Sequence, residues 1–273
     1  MSLRYFRVAS LGLVAAALSS PASATNSWNG YHWARTTTTF NLTVVNSTTS
    51  DWDPYVAQAV IDWSQSTVLN MVEQANGDTS SKTRRQCNPP NGQVRICNLA
   101  YGKNGWLGLA GISIDTKGHI IRGYTKLNDS YFGLPYYNNY AWRQSVTCQE
   151  LGHDVGLDHQ DTNFNNDPLY SCMDYQDPPW STPNQHDYDE LGIIYAHIDS
   201  YNAYQTGSAG GTTSTDPCTA PPGKGCNKSG VEGNNGDIGW GISLGRRGQF
   251  ERFIRIDPDG TRHITFVTWS VGN

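Results

Sequence analysis

Apolar and polar positions along the chain fall into short runs of different period. Phe40–Val45 (FNLTVV) alternates apolar with polar side chains and is rich in β-formers, which predicts a half-buried strand. In the DWDPYVAQAVIDWSQS stretch that follows, Val56, Val60 and Trp63 recur at helical spacing behind Asp53, which can cap, and Pro54, which suits a first helical position. An amphipathic helix lying on a sheet is the expectation. Val94–Ile96, Trp106–Ile114 (WLGLAGISI) and His119–Leu127 (HIIRGYTKL) read as further strands, so the sheet has at least four. A second helix is predicted from near Asn139 to Gly156, where glycine suits a left-handed cap, and a third over Asp187–His197. The fold class is α+β.

After Tyr204 the composition shifts to QTGSAGGTTSTDP, which is linker chemistry. Beyond it RFIRI and HITFVTW flank Asp257–Gly260 as a hairpin. At the other end Arg4 and Arg7 precede an apolar run, Val8–Leu18, that closes on small residues at Ala22–Ala24. This is the pattern of a secretory signal peptide, and the run is shorter than the ~20 residues a membrane span needs. The expected organisation is therefore a leader at 1–24, one well-cored domain at 25–203, a linker at 204–217 and a small β-rich tail at 218–273. The mature protein is expected outside the cell, monomeric and without a membrane anchor.

Charge narrows the partners. The net charge is −5 and the leader carries only basic residues, so the mature chain is more acidic still and offers no basic stripe to nucleic acid. Six cysteines in an exported chain are disulfides before they are metal ligands; 15 pairings are open, and the spacing suggests Cys87 with Cys97, Cys148 with Cys172 and Cys218 with Cys226. Asn41, Asn46, Asn128 and Asn227 begin glycosylation sequons, which matter only in a host that glycosylates.

The candidate chemistry lies in Gln149–His159, QELGHDVGLDH. Positions four apart share a helix face, so Gln149 and His153 converge on one point. Gly156 lets the backbone turn back so that His159 approaches the same point, and Glu150 is placed to hold a water. The layout is that of an HExxHxxGxxH zinc site with glutamine in the first position.

On these residues the chain resembles the metzincin metallopeptidases, and within them secreted matrixin-like proteins, over roughly Phe40–Tyr201. Ser171–Tyr175 (SCMDY) is similar to the Met-turn of that family, with Met173 beneath the metal and Tyr175 where some members place a tyrosine near the zinc or the oxyanion. The resemblance implies a metzincin-like twisted mixed sheet, an active-site helix, a Zn2+ cofactor held by Gln149, His153 and His159, and hydrolysis of a protein or peptide substrate with Glu150 as general base. It also implies that a Cys148–Cys172 bond ties the Met-turn to the helix. The peptide would lie antiparallel to an edge strand near His119–Leu127.

The departure is Gln149, where the family has histidine. The amide oxygen reaches as far as imidazole and is equally neutral, but it is the poorer zinc donor, so weaker metal binding is expected. Asp158, Asp161, Asp174 and His186 are the nearest substitutes in sequence. The rival reading is a binding module that kept the cleft and lost tight metal; another assigns attachment to a wall or polysaccharide to the tail. His32, His119, His197 and His263 read as surface or hydrogen-bonded side chains, and Trp28, Trp33 and Trp106 as core.

Overall fold

The computed structural model describes residues 26–204 and 239–270. The predicted leader, nearly all of the linker, and Cys218 with Cys226 lie outside the described residues. Strands β1 (His32–Trp33) and β2 (Phe40–Ser47) come first, then helix α1 (Asp53–Trp63), β3 (Leu69–Gln74), α2 (Ser81–Gln86), β4 (Val94–Leu99), β5 (Trp106–Ile114) and β6 (His119–Asn128). Helices α3 (Asp129–Phe132), α4 (Tyr140–Asp154) and α5 (Gln185–Ile194) follow, and β7 (Ile242–Arg247), β8 (Phe250–Ile256) and β9 (Arg262–Trp269) end the described chain. The protein is α+β, as expected. Among the described residues no helix is long and apolar enough to cross a membrane.

All the strands belong to one sheet, ordered β3-β2-β4-β6-β5-β9-β8-β7, with β1 paired to β6 off that path. Strands β2, β3, β4 and β6 are mutually parallel; β5 runs antiparallel to β6. His119–Leu127 was expected near an edge, and this is corrected: β6 is paired to β4 on one side and to β5 on the other. The antiparallel β5 would be the edge of this half of the sheet, but β9 covers it, with Gly108 opposite Thr268 and Ala110 opposite Phe266. The hairpin expected in the tail does form, as β8 and β9 around Asp257–Gly260. It continues the main sheet.

The core lies on the face where α1 and α4 pack. Val56, Val60 and Trp63 are buried there, as the helical spacing predicts, and the Trp63 indole N–H donates to the Cys148 carbonyl at 2.9 Å, tying α1 to α4. On the opposite face Trp106, Leu109, Phe253, Val267 and Trp269 form a second, smaller cluster. Because both faces are covered, β5 is buried at every position, which is why its sequence is continuously apolar rather than alternating. Strand β3 and the short helices α2 and α3 were not anticipated. LNMVEQ alternates only weakly, and α2 buries none of its residues, so neither leaves a strong periodic signal.

Helix α4 begins at an Asn139 cap, whose side chain accepts from the Trp142 N–H at 3.0 Å. It ends where Gly156 adopts φ +100°. A Cβ on Gly156 would meet the Tyr31 carbonyl oxygen at 2.1 Å, so both the angle and the space demand glycine there. The Trp33 indole N–H donates to the Asp154 carbonyl at 3.0 Å, satisfying one of the helix's terminal acceptors.

Gly156→Ala is therefore expected to lower stability by at least ~1–3 kcal/mol, the cost of forcing a side chain into this backbone region, with the Tyr31 clash added. Equilibrium urea unfolding checks it, and a variant within ~0.5 kcal/mol of the parent would contradict the assignment.

Candidate active site

Helix α4 is buried from Gln144 to Asp154, although that stretch includes Gln149, Glu150, His153 and Asp154. Each of these needs a partner or a bound group to offset its burial. Asp154 accepts from the Thr125 hydroxyl at 2.9 Å. The Gln149 amide N–H donates to the Cys172 carbonyl at 3.2 Å, and its oxygen accepts from Thr268 at 2.9 Å. One oxygen of Glu150 lies 2.8 Å from the same Thr268 hydroxyl, while the other has no hydrogen-bond partner.

A hydroxyl holds one proton, so Thr268 donates to Gln149 or to Glu150 but not to both. A proton on Glu150, donated to Thr268, completes the chain to Gln149. Burial favours that form, since it pushes the Glu150 carboxyl up to about 8, against the opposing Thr268 hydrogen bond.

His153 sits one turn beyond Gln149. Its Nδ1 is 2.9 Å from the Leu157 carbonyl, which accepts the N–H and leaves Nε2 with a lone pair that nothing meets. Burial, helped by the neighbouring His159, lowers the imidazole to about 3 and keeps it neutral. His159 arrives from the loop after Gly156, its ring centroid 4.6 Å from that of His153, and its Nε2 is likewise buried without a partner. The Tyr175 ring lies 4.6 Å from His159, with its hydroxyl also unpartnered. The rings of His153, His159 and Tyr175 are thus in contact in series, and Gln149 and Glu150 are joined through the Thr268 hydroxyl.

Met173 packs against α4 at Gly152. Residues 171–174 form a turn closed by the Asp174 N–H donating to the Ser171 carbonyl, and the Ser171 hydroxyl donates to Asp187 of α5 at 2.5 Å. Met173 Sδ would be 2.7 Å from a Cβ on Gly152, so the turn packs against α4 where the helix lacks a side chain. Cys148 and Cys172 are bonded, as are Cys87 and Cys97. Of the possible substitute ligands, Asp158 pairs with Arg252 at 3.1 Å, Asp161 and Asp174 accept loop N–H groups, and His186 stands on α5.

Four contributors were not anticipated, and all come from β8 and β9. Phe266 stacks on the His153 ring at 4.3 Å and 7°, Phe250 meets His159 edge-on at 4.3 Å, Thr268 bridges Gln149 and Glu150, and Arg252 holds Asp158. The stacking covers a face of His153, whose Nε2 is buried without a hydrogen-bond partner. A cleft of about 300 Å³ opens beside His159, with Asp161, Arg246 and Arg252 among its walls. Nothing in the local sequence of the tail signals these roles, because they depend on a pairing across more than half the chain. A separate cluster of His32, His197 and Asp199 was also unforeseen. No protein-family model matches the chain, and no curated protein matches it either.

Replacing Cys148 and Cys172 together by alanine is expected to cost ~2–5 kcal/mol, the range for native disulfides in small secreted domains. The loss should be accompanied by looser packing of residues 171–174. Denaturant unfolding with hydrogen exchange across that turn measures both, and a turn that stays protected would show that Asp187 and Gly152 hold it without the bond.

Proposed function

We propose that the chain is an exported zinc-dependent endopeptidase of metzincin type, with α4 as its metal-binding helix. The observation that carries the reading is the pair of buried imidazole nitrogens, Nε2 of His153 and of His159, left without partners on neighbouring rings. Burying such an atom unmatched costs ~1–3 kcal/mol, a cost that a cation between them removes. The Leu157 carbonyl behind His153 is the usual backing of a metal-ligating histidine.

His153 and His159 would hold the ion, with the Gln149 oxygen as the weak third donor. Zinc, when bound, supplies a Lewis acid that polarises a peptide carbonyl and acidifies a water. The rest falls to the chain's own groups. Glu150 would act in its ionised form, its unpartnered oxygen taking a proton from that water and giving it to the leaving amine, and the Tyr175 hydroxyl would donate to the oxyanion. An extended peptide would lie antiparallel along β5 in the place that β9 takes here, making the hydrogen bonds β9 now makes. Export is supported by the leader-like pattern at 1–24 and by the two disulfides.

A second reading, a binding module without chemistry, is favoured by Thr268, whose hydroxyl already occupies both Gln149 and Glu150. Competition with a zinc chelator separates the two. The endopeptidase reading expects wild type and Glu150→Ala to bind zinc alike, His153→Ala to lose it, Gln149→His to bind more tightly, and hydrolysis of an unfolded protein to vanish in Glu150→Ala. If zinc content is the same in wild type and in His153→Ala/His159→Ala, the binding module takes its place.

A further inference from the structure

We infer that His32, His197 and Asp199 form a second metal site, for a zinc-like divalent cation, that fastens the start of the described chain to the segment after α5. His32 Nδ1 lies 2.8 Å from the Gly30 carbonyl, so that nitrogen donates and Nε2 presents its lone pair. Facing it are His197 Nε2 at 3.0 Å and Asp199 Oδ2 at 3.6 Å, and the other Asp199 oxygen is 3.5 Å from His197 Nε2. Tetrahedral zinc with bonds of ~2.0–2.1 Å sets its ligand atoms roughly 3.3 Å apart, and the three contacts here, at 3.0, 3.5 and 3.6 Å, lie on either side of that value, with the two to Asp199 made by different oxygens.

The surroundings are those of a built site. Asp199 accepts the Arg35 backbone N–H at 2.9 Å and stands 3.2 Å from His119 Nε2, while the other His119 nitrogen is 2.7 Å from the Tyr201 hydroxyl. That hydroxyl donates to Asp115 at 2.6 Å, so His119 Nδ1 is the donor to Tyr201. The His197 side chain is 56% exposed and gives an ion its way in. Without a cation, His197 spends its proton on His32 and the cluster is only a hydrogen-bonded set.

The test is zinc content after dialysis, with thermal unfolding with and without zinc, in a chain whose first site is removed by His153→Ala/His159→Ala. That chain should keep one zinc and gain roughly 5 °C or more in zinc, the effect of a ligand well above its Kd. Adding His197→Ala or Asp199→Asn should abolish both. In the wild-type background, where no buried residue is disturbed, His197→Ala should lose one equivalent. Zinc content unchanged by His197→Ala in both backgrounds would overturn the site.

The β8–β9 hairpin carries a second inference, which rests on the endopeptidase reading: it is an internal occupant of the peptide cleft and must swing away for substrate to enter. β9 lies antiparallel along β5, the course proposed for substrate, and its inner face puts Phe266 on His153 and Thr268 on Glu150. The Arg252–Asp158 pair latches the hairpin to the loop that carries His159.

A clamped chain (Leu109→Cys with Val267→Cys, partners across β5 and β9) and a loosened one (Phe250→Ala/Phe266→Ala) test this. Relative to wild type, hydrolysis of an unfolded protein should fall at least tenfold in the clamped chain and rise at least tenfold in the loosened one. Amides of β9 should exchange by a local opening, well below global unfolding. Exchange only by global unfolding, or a clamped chain as active as wild type, would overturn the inference. Local opening with no hydrolysis in any chain would uphold a mobile cover and reject the peptidase chemistry beneath it.

Discussion

A polar helix face buried in a protein interior is the constraint on which this structure turns. Between Gln144 and Asp154, helix α4 has no solvent to satisfy its amide, carboxyl and imidazole groups. The chain answers from several elements: β6 gives the Thr125 hydroxyl, the loop after the helix gives the Leu157 carbonyl, the turn at 171–174 gives the Cys172 carbonyl, and β9 gives the Thr268 hydroxyl. Other buried polar atoms of the helix are left unmet by these partners: both ends of the Gln144 amide, one oxygen each of Glu150 and Asp154, and Nε2 of His153. Both ring nitrogens of His159 and the Tyr175 hydroxyl, which pack beside it, are unmet as well.

The periodic elements were legible in the sequence because their signal is local. Trp106–Ile114 reads as a strand from its own composition, and α4 from its cap, its spacing and Gly156. The grouping of Gln149, Glu150, His153 and His159 follows from helix geometry and one tight turn, which sequence alone contains. Tyr175 entered through a family resemblance and is found beside His159.

What escaped the sequence is what depends on distant pairing. RFIRI and HITFVTW predict a hairpin but not its berth, since the same alternation fits a free-standing tail and the centre of a sheet. Phe266 and Thr268 therefore carry no mark of their place against His153 and Glu150. His32, His197 and Asp199 each look ordinary, and only β1 lying against the start of β6, with the chain after α5 crossing nearby, gathers them. His119–Leu127 was taken for an edge because a strand's neighbours are not encoded in its own residues; β4 and β5 flank it.

The position of β9 also bears on how the molecule is made. β9, which pairs with β5, follows it only after β6, α3, α4, α5, β7 and β8, so one side of β5 remains an unpaired edge from the time it emerges until β9 is made. At ordinary rates of elongation that interval is on the order of ten seconds. Throughout it a continuously apolar strand is open to pairing with other chains, the situation in which nascent sheets aggregate. A chain broken off before Arg262 would never leave that state.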